Sequence, residues 1–161
     1  MSAAIDPKSK VIVAMHRGAR DESSLLLLLR QVERRVKNPP GVLYVSDEWD
    51  AYGAALREIF GQWYQPERKP GSGRPPKPRL MIPGELKHAV VHKTRKNGIV
   101  IKVERKIVFG DEGEIMDILE QSPVSNTLNT SFVERLNLTL RHYSKRLTRK
   151  TPGLFEKRRT S

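Results

Sequence analysis

Five consecutive leucines, Leu25 to Leu29, constrain this chain more than any other feature. A helix carrying them is apolar on all sides, so it has to be largely buried among other elements. The run is far too short to span a membrane. Its flanks predict a helix over Glu22–Val36. Asp21 is a good N-cap, Glu22 suits the positive first turn, and Arg34 and Arg35 suit the negative last turn. Asn38-Pro39-Pro40 stops it.

The neighbouring segments supply something for that helix to pack on. Ser2–Ile5 and Val11–Met15 read as short strands, joined by the turn residues Asp6-Pro7-Lys8-Ser9. Val42–Val45 is a short apolar run between Gly41 and Ser46, and reads as a buried, parallel strand. Trp49, Tyr52, Leu56, Ile59 and Phe60 then recur at helical spacing. Residues 66–83 form an extended basic linker: the stretch Gln65–Pro83 holds six of the eleven prolines. Within residues 84–110, Leu86–His92 and Ile99–Phe109 read as a hairpin turning at Asn97-Gly98. Glu112–Gln121 is an acidic helix candidate, Ser125–Thr130 a polar loop, and Phe132–Leu147 the last helix. Residues 152–161 read as a basic, disordered tail. The order of elements predicts an α/β fold with a mixed sheet flanked by helices.

Charge narrows the partner. The chain of 161 residues carries 30 Lys and Arg against 18 Asp and Glu, a net of +12. Residues 66–110 hold a net +9 and 134–161 a net +7, while 111–133 hold −5. Basic blocks of this kind neutralise phosphates and release counterions, so a nucleic acid is the expected partner; a merely solvated basic face is the alternative. With no cysteine, thiolate metal sites, disulfides and cysteine nucleophiles are excluded. The start, Met1-Ser2-Ala3-Ala4-Ile5-Asp6, lacks the pattern of a secretory signal, and the expected location is cytoplasmic, with no membrane partner.

Two carboxylates stand out. Asp47 directly follows the apolar strand, at the strand end where α/β sheets place their sites. It suits a divalent metal ligand, and equally a cap on a Glu48–Phe60 helix. Glu134 follows Ser131 at capping-box spacing. It also heads a polar stripe with Asn137, Arg141 and Lys145, opposite an apolar face of Phe132, Val133, Leu136, Leu140, Tyr143 and Leu147. That suits a metal ligand beside bound DNA or a surface salt bridge. His88 and His92, four apart on a strand, sit about 13 Å from each other, too far for one zinc ion.

These residues resemble a known family. Tyr44-Val45-Ser46-Asp47-Glu48-Trp49-Asp50-Ala51-Tyr52 is similar to the strand and "TDGWxAY" element of DDE transposases of the first-described bacterial insertion-sequence type. Asn129-Thr130-Ser131-Phe132-Val133-Glu134-Arg135-Leu136-Asn137-Leu138-Thr139-Leu140-Arg141 is similar to that family's "NTSFVERxNLTxR" helix, and Arg146 to Thr151 continue the match. Ile5 to Ile12 resemble the hairpin after the family's first core strand. The resemblance covers Ser2 to about Thr151. It implies an RNase H-like core, and DNA strand cleavage and transfer at insertion-sequence ends. Three carboxylates there hold two Mg²⁺ or Mn²⁺ ions for phosphoryl displacement. By position, Asp47 is the second carboxylate and Glu134 the third, with Asn137 beside it.

The resemblance also implies duplex DNA as partner, contacted by Asn137, Arg141, Lys145, Arg146, Arg149, Lys150, Lys93, Arg95 and Lys96, and a homo-oligomer or an intact transposase as a further one. The family's first strand, its Asp and the DNA-end-binding region before it have no counterpart in these residues, and the hairpin at 84–110 reads as an insertion. The expectation is therefore an incomplete core within residues 1–151, with weak or absent catalysis and retained DNA binding. A non-catalytic basic DNA- or RNA-binding protein is the alternative.

Overall fold

The computed structural model describes residues 2–67 and 75–143. Strands β1 (Ser2–Ile5) and β2 (Ile12–His16) pair antiparallel, with Ser2 opposite His16. Asp6 makes the turn: its carboxylate accepts from the backbone N–H groups of Lys8 and Ser9, each at 3.1 Å, and Lys10 takes a left-handed φ of 61°.

Helix α1 (Glu22–Arg35) starts at Asp21, whose carboxylate accepts from the Ser24 N–H at 2.7 Å. It lies on the hairpin and on α2 (Ala51–Phe60). Leu25, Leu28, Leu29 and Val32 are buried. Leu27 is 51% exposed, so the leucine run is enclosed on one side only and the helix keeps a solvent face. Arg35 ties the helix end to the hairpin, donating to the Val13 carbonyl at 2.7 Å.

Strand β3 (Leu43–Ser46) is parallel, as its sequence predicts, and only its last residue, Ser46, is fully buried. Its partner is β6 (Lys87–Lys96), which pairs antiparallel with β7 (Ile99–Phe109). The hairpin read as an insertion thus supplies the central strand of the largest sheet, in the order β3-β6-β7. Asn97 at φ 52° and Gly98 at φ 80° make its tight turn. Two further strands, β4 (Gln62–Tyr64) and β5 (Arg79–Met81), pair across the basic linker, where the sequence predicts only extended chain. Their three-residue length leaves little periodicity to detect.

Among the described residues the strands form three sheets, of two, three and two strands, and the three-stranded one is mixed, as the order of elements predicts: β3–β6 is parallel and β6–β7 antiparallel. The described residues form a mixed α/β architecture with four helices. Successive residues of β6 face opposite sides. Ala89 and Val91 meet Ile115 and Leu119 of α3 (Glu112–Glu120) and Leu128, forming one core. A second core joins the β1–β2 hairpin, α1, α2 and Leu86. Helix α4 (Ser131–Tyr143) contributes no fully buried residue. Phe132, Val133, Leu136 and Leu140 are half-buried, whereas Tyr143, placed on the same apolar face by its spacing, is 89% exposed. Among the described residues no helix is long and apolar enough to cross a membrane.

Candidate functional site

Asp47 leaves the end of β3, and α2 begins only at Ala51, preceded by Asp50, whose side chain makes no capping bond. Asp47 therefore does not cap the helix. Its carboxylate instead accepts from the Arg20 guanidinium at 3.0 Å, and Arg20 lies 5.1 Å from the centre of the Trp49 ring. A loop between β2 and α1 brings Arg20 there, a contact that no local spacing announces.

Glu134 occupies the first turn of α4. One carboxylate oxygen accepts from Lys93 Nζ at 2.6 Å and from the Thr130 hydroxyl at 2.7 Å. The capping box with Ser131 does not form: the Ser131 N–H donates to Asn129 Oδ1 at 3.2 Å. The carboxylate is consequently held toward β6. Burial pushes the Glu134 carboxyl up, but the Lys93 and Thr130 bonds and the charges of Lys93 and Arg95 outweigh it and leave the group below its ordinary value.

Asp47 and Glu134 line one cavity of about 370 Å³, together with Arg20, Glu48, His92, Lys93, Arg95 and Thr130. Three carboxylates, Asp47, Glu48 and Glu134, there face three cations, Arg20, Lys93 and Arg95. The lining is close to neutral before His92 is counted, and His92 itself contacts Glu48. These residues do not fit a two-metal centre. Among the described residues no group of three or more His, Asp or Glu is arranged to hold a metal ion. The two carboxylates carried over by resemblance are both ion-paired. A pair of divalent cations needs more oxygen ligands and more negative charge than this.

The other expected nucleic-acid contacts fall at different distances from this centre. Lys93 and Arg95 line the cavity, and Lys96 closes β6 beside the turn. Asn137 is half-buried one turn along α4 from Glu134, and Arg141 lies in the last described turn. Lys145, Arg146, Arg149 and Lys150 lie outside the described residues, as does the tail at 152–161.

A second cavity, of about 380 Å³, adjoins the first through the shared residues Glu48, Trp49 and His92. His88 lines it while being only 1% exposed as a residue. Ser46 Oγ donates to the Asp47 carbonyl and lies 2.9 Å from His88 Nε2. A hydroxyl has one proton, so His88 Nε2 carries the N–H and donates to Ser46. His88 Nδ1 is then an acceptor without a protein partner. Burial pushes the imidazole down to about 4, so it is neutral at pH 7.

No family model, no curated protein and no solved structure matches the chain.

Proposed function

We propose that this chain is a duplex-DNA-binding protein of DDE-transposase descent, built on an RNase H-like scaffold, in which strand cleavage and transfer are weak or absent. One observation supports the descent above others. The carboxylate at the end of β3 and the carboxylate opening α4, distant in sequence, line a common cavity. A basic protein that merely needed solubility has no use for that convergence.

The reading of weak catalysis rests on the cations. Arg20 and Lys93 occupy the carboxylate oxygens that a divalent ion would use. With Arg95 they also bring three cations to the cavity, and Lys96 follows on the same strand, charges that a phosphate backbone can meet. The activity assigned is accordingly binding, with Lys93, Arg95, Lys96, Asn137 and Arg141 on the DNA side. The partners proposed are duplex DNA and a further copy or an intact transposase.

The test is an incubation of the full chain with end-labelled duplex DNA and Mg²⁺ or Mn²⁺. Retarded DNA with at most trace nicking is the expected result. Strong nicking that D47A or E134A abolishes would overturn the reading of weak catalysis. Failure to retard duplex DNA at low salt, or clear preference for structured RNA, would overturn the DNA reading.

A further inference from the structure

Strand β7 is the longest strand in the structure and one of its least covered. It runs over Ile99–Phe109 and pairs, among the described residues, with β6 alone. Its other edge therefore presents a row of backbone N–H and C=O groups. An exposed edge of this kind is a template for another strand. The side chains along it are also apolar beyond what a solvated edge needs. Ile99 and Ile101 are 70% and 60% exposed, and Val100, Val103 and Val108 are exposed as well.

The sequence of β7 limits what pairs with it. Between the irregularities near its two ends, the strand is regular over Lys102 to Ile107. Side chains directly opposite in an antiparallel pair share a face and interact. When two copies of β7 pair about a two-fold axis, the residue on the axis faces itself. With Glu104 on the axis, two glutamates meet and Lys102 faces Lys106. With Arg105 on the axis, two arginines meet. With Val103 on the axis, valine meets valine, and Lys102 of each copy faces Glu104 of the other.

Within one chain these two side chains are already drawn together, Lys102 Nζ donating to Glu104 Oε1 at 2.8 Å. They lie on the face of the sheet that lines the second cavity, to which Glu104 contributes, and remain half-exposed or more. Pairing about Val103 would close a four-membered ring of alternating charges on that face. On the opposite face the same register places the two Val103 side chains together. Charge thus selects the register about Val103, the one uncharged residue between Lys102 and Lys106, and a second copy of this chain as the occupant.

We infer that β7 is the seam of an isologous dimer, in which two three-stranded sheets join edge to edge about Val103 to form one six-stranded sheet. The seam lies on a different strand from the DNA-side residues of β6. It does not depend on the nuclease descent proposed above.

The test uses the full chain without DNA, so that its failure leaves the DNA reading standing. Sedimentation at tens of micromolar is expected to give a species of twice 18.4 kDa. K102E places glutamate against glutamate at two positions and is expected to weaken the dimer at least about tenfold. The double variant K102E/E104K restores opposite charges and is expected to restore it. V103P removes a backbone donor at the axis and is expected to leave monomer. Circular dichroism checks that each variant is folded, and if V103P unfolds, K102E and its rescue decide. A wild-type mass of 18.4 kDa overturns the inference. So does a dimer indifferent to K102E, or one that E104K fails to rescue.

Discussion

Asp47 and Glu134 open onto the same cavity, and each is already held by a cation from a distant segment: Arg20 at 3.0 Å and Lys93 at 2.6 Å. An ion pair at a protein surface stabilises the fold only slightly. It matters more for what the carboxylates can bind, because a cation in place opposes a second one.

Removal of the two cations should therefore unmask the carboxylates. R20A/K93A is expected to bind Mn²⁺ about tenfold more tightly than the wild type, since a neighbouring positive charge opposes ion binding by that order. Titration calorimetry measures it. Equal affinity would mean that Asp47 and Glu134 never share an ion.

Binding to DNA should be electrostatic. About six phosphate contacts would lower affinity roughly 10³-fold between about 50 and 200 mM salt. K96A is expected to lower the magnitude of the salt slope by about 1. Fluorescence anisotropy over a salt series reads both. A flat response would argue against a basic DNA face.

Stability should depend on pH through His88. Its folded value is about 4 against an ordinary 6.5. As pH falls, the unfolded chain takes up the proton first, so stability is full above about pH 6.5 and drains away down to about pH 4. The loss is on the order of 3 kcal/mol. Urea denaturation at several pH values should show H88Q, which keeps a side-chain partner for Ser46, losing less over that interval. An unchanged profile would place the acid sensitivity elsewhere.

The leucine run should respond unevenly. Leu25 is 1% exposed and Leu27 51%. L25A is expected to cost about 2–5 kcal/mol. L27A is expected to stay within about 0.5 kcal/mol. Equal losses in thermal denaturation would indicate a helix buried on all sides.

Two glycines of the β6–β7 hairpin should separate in the same way. Gly98 has φ 80° with open space where a Cβ would go. G98A is expected to cost about 1–2 kcal/mol for the left-handed backbone alone. Gly110 has φ 96°, and a Cβ there would lie 2.9 Å from Lys87 Cγ and 3.3 Å from the Leu86 carbonyl oxygen. G110A should therefore be the more damaging in urea denaturation.

Much of the local structure was legible in the residues. Asp21 caps α1 as a short acceptor side chain does. Asn97-Gly98 sets its turn because both residues tolerate positive φ. Other features misled. Ser131 and Glu134 have capping-box spacing, yet a lysine from β6 and the Thr130 hydroxyl hold that carboxylate instead. Asp47 has the look of a cap, yet its helix starts later and Arg20 holds it.

Helices and turns depend on neighbours within a few residues, so the sequence by itself determined most of them, along with the uneven charge. Which strands meet is a long-range matter. The pairing of β3 with β6, the division into three sheets, and the bringing of Arg20, Asp47, Lys93 and Glu134 to one cavity were decided only by the tertiary structure. The reason is that burial has no direction: apolar residues specify that a strand is covered, whereas the identity of its partner follows from how the whole chain closes around its cores.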